Sequence, residues 1–168
     1  MQKCPKGWSR ILGIDPGLAT VGLGIVERHE NGDIRPLDWL TIQTAAGLEA
    51  SDRLEEIAHD LKEYLQEYSP ELAVVERLYF SKNVRTAMAV AQARGVILLT
   101  LASAGIPCLE PNPLSLKSCI TGDGRADKKQ IQDMLVMRLK LQEIPKPDDA
   151  ADALALALYG ALQPVAVA

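Results

Sequence analysis

Three carboxylates open an otherwise apolar stretch, Pro147-Asp148-Asp149-Ala150-Ala151-Asp152-Ala153-Leu154-Ala155-Leu156-Ala157-Leu158. The alanines and leucines continue on every face, so the segment reads as a helix packed inside a larger body. Asp148 follows a proline and is suited to cap that helix, where a carboxylate accepts from free backbone N–H groups and meets the positive end of the helix dipole. Capping leaves Asp152 unexplained, because it lies a full turn further in. Asp149 and Asp152 stand at i and i+3 on one face, with β-carbons about 5–6 Å apart. Two like charges held that close and half desolvated repel each other unless a cation lies between them. The pair therefore reads as half of a divalent-metal site.

Two further acids stand where strands end. Arg10-Ile11-Leu12-Gly13-Ile14-Asp15-Pro16-Gly17 is a short apolar run closed by Pro-Gly, a strand with Asp15 at its end. Leu72-Ala73-Val74-Val75-Glu76 is near-continuously apolar, the pattern of a central strand covered on both faces, and it ends in Glu76. In open α/β sheets, functional groups collect where the carboxyl ends of strands meet the loops, so Asp15 and Glu76 are candidates to sit together. Either alone could instead serve a salt bridge. Asp15, Glu76, Asp149 and Asp152 come from three separate elements. Four acids and no histidine make an all-oxygen environment that suits Mg²⁺ or Mn²⁺ and disfavours Zn²⁺. Two such ions about 4 Å apart activate a water and steady the leaving oxygen of an in-line phosphoryl displacement.

The elements that must position these acids are legible from periodicity. Leu18–Arg28 continues the first strand after a turn, Glu30-Asn31-Gly32-Asp33 is a hairpin turn, and Ile34–Ile42 is a third strand, which together make an antiparallel meander. Ser51–Tyr68 is the clearest helix: Leu54, Ile57, Leu61, Tyr64, Leu65 and Tyr68 recur on one face, with Glu55, Glu56, Asp60, Glu63 and Glu67 on the other. Asn83–Ala104 is a second helix, whose Ala87, Ala91 and Gly95 make a face narrow enough for close packing on a sheet or another helix. Ile106–Leu109 is a short strand, Asn112-Pro113 starts a helical segment to Ile120, and residues 121–126 read as a flexible loop. Asp127–Leu141 is a further helix with more apolar surface than one face needs, Val136, Met137 and Leu141 included, which a partner surface would account for. Strands lie in the first half with helices layered on them, in the order βββαβαβα, so the fold is α/β with a mixed sheet.

With 168 residues, 48% of them apolar, the chain suffices for one well-buried core and is short for two. Three cysteines without a CxxC spacing and two histidines make a structural zinc site or a disulfide framework improbable, and a reduced cytoplasmic location is expected. Neither a signal peptide nor a membrane span is visible. The net charge of −4 hides a segregation: residues 27–71 hold twelve acids and four bases, whereas residues 77–142 hold ten bases and four acids. A basic half can still bind phosphates on one face.

Four motifs, Ile11-Leu12-Gly13-Ile14-Asp15-Pro16-Gly17, Val75-Glu76-Arg77-Leu78-Tyr79-Phe80-Ser81-Lys82-Asn83, Gln92-Ala93-Arg94-Gly95 and Asp149-Ala150-Ala151-Asp152-Ala153-Leu154-Ala155, occur in an order that closely resembles the RuvC family of bacterial Holliday-junction resolvases. The resemblance implies a ribonuclease-H-like fold with helices on both faces of the sheet, expected over residues 10–163; residues 1–9 are an N-terminal extension that departs from the family, and residues 164–168 read as a frayed tail. It implies a homodimeric endonuclease that nicks two opposing strands of four-way junction DNA during recombination and repair, with Mg²⁺ or Mn²⁺, two ions per site. The family's metal-binding positions fall on Asp15, Glu76, Asp149 and Asp152; some members carry His where this chain has Asp149. Its aromatic beside the catalytic glutamate matches Tyr79, placed to stack on or wedge apart bases. Its active-site lysines match Lys117 and Lys128, as phosphate contacts. A branch-migration complex is the implied partner. Arg77 stands where glutamine is common.

On residue type alone, Tyr79 is more often a core aromatic than a base wedge, although Ser81, Lys82 and Asn83 beside it favour nucleic-acid contact. Lys117 could be a snorkelling surface lysine. Lys128 opens a helix, where positive charge opposes the dipole, so an external anion would rationalise it. Lys82, Arg85 and Arg94 are further candidate phosphate contacts. Gly13-Ile14-Asp15-Pro16-Gly17 also resembles the phosphate loop of actin-like ATPases and sugar kinases, but those enzymes need a second lobe for which this chain has no room. A non-catalytic junction-binding protein is the other alternative, and it would gain nothing from four acids facing phosphate.

Overall fold

A computed structural model describes residues 4–77 and 84–164, without the side chains of residues 84–86. Three antiparallel strands come first, β1 (Trp8–Asp15), β2 (Thr20–His29) and β3 (Ile34–Gln43). They are followed by α1 (Ala50–Tyr68), β4 (Leu72–Val75), α2 (Val84–Ser103), β5 (Cys108–Leu109), α3 (Pro113–Thr121), α4 (Lys128–Leu139) and α5 (Asp148–Leu162). The sheet order is β3-β2-β1-β4-β5, with β4 parallel to β1 and β5 parallel to β4. This is the mixed ribonuclease-H-like sheet expected from the sequence. β1 already begins at Trp8, inside the segment read as an extension.

Alternation along the strands divides the core in two. Leu12, Ile14, Leu23, Ile25 and Val75 face α1 and α2, while Ile11, Val26 and Val74 face α5 with α3 and α4 beside it. The hairpin between β2 and β3 closes through His29 N–H to the Asp33 carbonyl, and Gly32 takes the left-handed conformation (φ +94°) that this loop requires. Residues 121–126, expected to be a flexible loop, carry local side-chain bonds: the Asp123 N–H donates to the Thr121 hydroxyl oxygen and the Arg125 N–H to the Asp123 carboxylate. Such local side-chain bonds substitute for a backbone ladder.

A buried ion cluster, which periodicity could not reveal, ties the meander to α1. Glu27, 1% exposed, accepts from Arg10 Nε at 3.0 Å and Arg35 Nε at 2.8 Å, and Arg10 also donates to the Tyr68 carbonyl. A buried carboxylate persists only when paired in this way.

The feature that matters most for function is how α5 lies on the sheet. Gly13, Gly22 and Gly24 all face it, and a Cβ at Gly13 or Gly22 would overlap the carbonyl oxygens of Ala153 and Asp149. A Cβ at Gly24 would come within 2.6 Å of the Leu154 Cα. The helix answers with small residues of its own, Ala150, Ala153 and Ala157, all fully buried. Backbone thus packs on backbone, and the helix cannot slide or lift without losing contact along its whole length. Gly24→Ala is expected to destabilise the protein by about 1–3 kcal/mol through overpacking, visible as a lowered denaturant midpoint. An unchanged midpoint would mean that α5 has room to retreat.

Candidate active site

Parallel pairing of β1 with β4 matches Ile14 to Val75, so the next residues, Asp15 and Glu76, emerge together at the carboxyl edge of the sheet. Across the antiparallel ladder Asp15 faces Gly22, the glycine against which the backbone of Asp149 rests. The first turns of α5 are thereby brought over the same edge. Asp15, Glu76 and Asp152 line one cleft of about 170 Å³, walled by Pro113, Leu116 and Ile131 and reached by Lys117. Asp149 is half-buried and does not line this cleft, although its charge acts on Asp15.

The electrostatics are those of crowded like charges. Burial pushes the Asp15 carboxyl up to about 7, and Asp152, Glu76 and Asp149 push in the same direction, against a smaller opposing pull from Lys128. Glu76 is raised by burial and then by Asp152, with Lys117 opposing. The acids are nonetheless set apart: among the described residues, His59, Asp60 and Glu63 form the trio whose candidate ligand atoms all lie within 4.8 Å of one another. That trio is adjacent surface chemistry on α1, with His59 and Glu63 largely exposed.

Glu76 is pinned from both sides. Arg94 on α2 donates from Nε to the Glu76 carbonyl at 3.1 Å and pairs with Glu110, while the Arg77 N–H bonds to the Pro111 carbonyl at 2.9 Å. Arg94, a candidate phosphate contact in the sequence, is instead an internal strut. Its side chain is only 16% exposed. Sequence could not show this, because the strut depends on β4 and α2 lying side by side.

Two other expectations change. The N-cap of α5 is Pro147, not Asp148, and no side chain caps this helix. Asp148 occupies the first helical position, where its carboxylate pairs with Lys128 at 3.2 Å. Lys128 in turn reaches Asp152 at 3.1 Å, so the anions that offset its place at the start of α4 belong to the protein. Partial burial pulls Lys128 down, yet Asp152 and Asp148 together hold it above the ordinary lysine value. Lys117 is half-buried on α3, which starts with Asn112 accepting from the Ser115 N–H. Tyr79 and Lys82 lie outside the described residues, as does the side chain of Arg85.

Comparison with known proteins shows the family. The family model described as crossover junction endodeoxyribonuclease RuvC matches residues 11–159. A Brevibacillus brevis protein named crossover junction endodeoxyribonuclease RuvC is 50% identical over 149 residues, covering 89% of each chain. The Thermus thermophilus RuvC structure superposes with a TM-score of 0.85 at 33% identity, over 91% of this chain and 93% of that one. T. thermophilus RuvC in complex with Holliday junction substrate gives the same TM-score at 32% identity, over 92% and 93%. With a family model matched over most of its length and relatives at this identity and superposition, the chain belongs to the RuvC family of crossover junction endodeoxyribonucleases.

Proposed function

We propose that this protein resolves four-way DNA junctions by paired, symmetric phosphodiester hydrolysis during recombination and repair, with Asp15, Glu76, Asp149 and Asp152 as its metal-binding acids. The observation that carries the reading is the convergence of Asp15, Glu76 and Asp152 on one cleft, with Asp149 close behind, in a chain of this family. A relative's complex with Holliday junction substrate supports the substrate class.

The donor set fits hard divalent cations: all donors are carboxylate oxygens, and buried like charge raises Asp15, which a cation would relieve. The wide setting of the acids suits Mg²⁺ or Mn²⁺, which keep waters and accept phosphate oxygens in their shells. Two bound ions would supply an activated water and stabilise the departing oxygen. The protein's own residues do the rest. Asp15 and Glu76, fixed by the sheet edge, and Asp149 and Asp152, fixed by α5, hold the acids in one geometry before substrate arrives. Lys117 and Lys128 set positive charge beside that cluster, where a scissile phosphate would lie. Pro113, Leu116 and Ile131 exclude bulk water from one wall. Tyr79 stacks on bases at the crossover, and Lys82 and Arg85 contact phosphate nearby.

The homodimer uses α2. Met88 and Leu99, 67% and 68% exposed, flank exposed Ala91 and Gly95, and nothing lies within 4 Å of a Cβ placed at Gly95. Small residues on an uncovered helix let a second helix approach closely, and two symmetric cuts call for two sites related by one axis. The branch-migration machinery is the further partner in this reading. Among the described residues, no helix is long and apolar enough to cross a membrane.

Asp152→Asn is expected to lower junction cleavage in Mg²⁺ by roughly 100-fold or more while leaving junction binding intact; normal turnover in a gel-based cleavage assay would refute the assignment. Because the folded Asp15 binds its proton more tightly than the unfolded chain does, its contribution to stability is full below about pH 4 and is lost as pH rises through about 7. The metal-free protein should therefore melt higher near about pH 5 than about pH 8, and excess Mg²⁺ should raise the midpoint more at the higher pH; equal midpoints without metal would contradict the crowding of like charge. Gly95→Leu should leave the melting midpoint of the chain nearly unchanged but shift sedimentation equilibrium toward monomer, and an unaltered dimer would place the interface elsewhere.

A further inference from the structure

The metal-site reading leaves one acid without a part to play. Asp148 caps nothing and its side chain is 72% exposed, yet it holds the same ammonium that holds Asp152. Asp148 and Asp152 stand one helical turn apart on α5, at i and i+4, so a single Nζ can touch both. The Lys128 backbone is fixed independently, because Asp127 and Gln130 form a reciprocal capping box that starts α4. Lys128 is thus a swinging side chain on a fixed post, bridging an acid of the cleft and an acid outside it.

An ammonium and a divalent cation compete for the Asp152 carboxylate, since like charges at contact distance repel strongly when half desolvated. Binding through Asp152 therefore requires Lys128 to let go. We propose that Asp148 is a positioning residue for the metal centre: it draws Lys128 onto itself when Asp152 turns to a divalent cation, so that the ammonium keeps an ion partner through the exchange instead of losing its single one. The proposal rests on the metal-site reading above and adds to it a residue outside the cleft that sets metal affinity through Lys128 alone.

The signs are opposite for the two partners. Lys128→Met removes the competitor and should tighten metal binding, whereas Asp148→Asn leaves Lys128 with Asp152 as its single partner and should weaken it. In the Lys128→Met background, Asp148→Asn should do nothing further. The probe is Mn²⁺ alone, titrated into the full chain without DNA and followed by the electron paramagnetic resonance signal of free Mn²⁺. Ionic strength of about 0.15 M shortens the Debye length to about 8 Å and suppresses long-range charge effects. Surface ion pairs of this kind predict a tightening of roughly two- to five-fold for Lys128→Met and a comparable weakening for Asp148→Asn. Equal weakening by Asp148→Asn in both backgrounds would make Asp148 a bulk negative charge and overturn the proposal, as would no effect in the native background. Asp15→Asn serves as the control: if the native chain binds no Mn²⁺, or Asp15→Asn binds it equally well, the metal-site reading fails first. All variants are compared by thermal midpoint, so that a folding defect is not read as lost affinity.

Discussion

Everything in this molecule depends on the direct seating of one helix backbone on two strand backbones. Gly13, Gly22 and Gly24 remove side chains from the face of β1 and β2 over which α5 runs, and the helix meets them with alanines. This contact is unusual in being made by what is missing. Dispersion and exclusion of water act over the full length of the helix, and steric overlap forbids any other register. Because Asp149 rests on Gly22 and Gly22 lies opposite Asp15, the contact that packs the core also sets the distance between acids from opposite ends of the chain.

That arrangement is electrostatically unfavourable on its own. Asp15 is desolvated and has three other carboxylates acting on it, and both push its pKa up. The fold tolerates the penalty because the core on both sheet faces is extensive, and because positive groups are stationed at the margin. Lys117 opposes the rise of Glu76, Lys128 opposes that of Asp15 and grips Asp152, and Arg94 anchors the backbone of Glu76 rather than its carboxylate. Neutralisation is partial, so the cleft keeps an excess of crowded carboxylate charge, the imbalance on which the proposed metal centre rests. The strut at Arg94 also links the cleft to α2, whose outer face carries Met88, Ala91, Gly95 and Leu99. Arg94 and that exposed face therefore belong to one helix, so the backbone of Glu76 is tied to the element that carries the uncovered small residues.

How much of this was legible beforehand follows from the range of each interaction. Asp15, Glu76 and Asp152 could be singled out from the chain because each breaks a local pattern, a charge closing an apolar strand or a charge one turn inside an apolar helix, and Asp149 followed from its i, i+3 spacing to Asp152. The meander, α1 and the central strand β4 were likewise written in periods of two and 3.6 residues, since local backbone geometry decides which side chains share a face. The role of Asp148 was misread for the same reason. A carboxylate after proline is a reasonable cap by local rules, and only the arrival of Lys128 from α4, twenty residues upstream, shows what it does.

The sequence by itself determined where carboxylates interrupt apolar segments and that strands and helices form a mixed α/β sheet fold, because residue type and spacing encode local conformation and intrinsic charge. Only the tertiary structure decided that Glu27 is buried between Arg10 and Arg35, that Arg94 is a strut, that Lys128 spans two acids, and that three glycines set where α5 comes to rest. Those facts concern groups distant along the chain, and their energies exist only once the sheet has paired and the helix has docked.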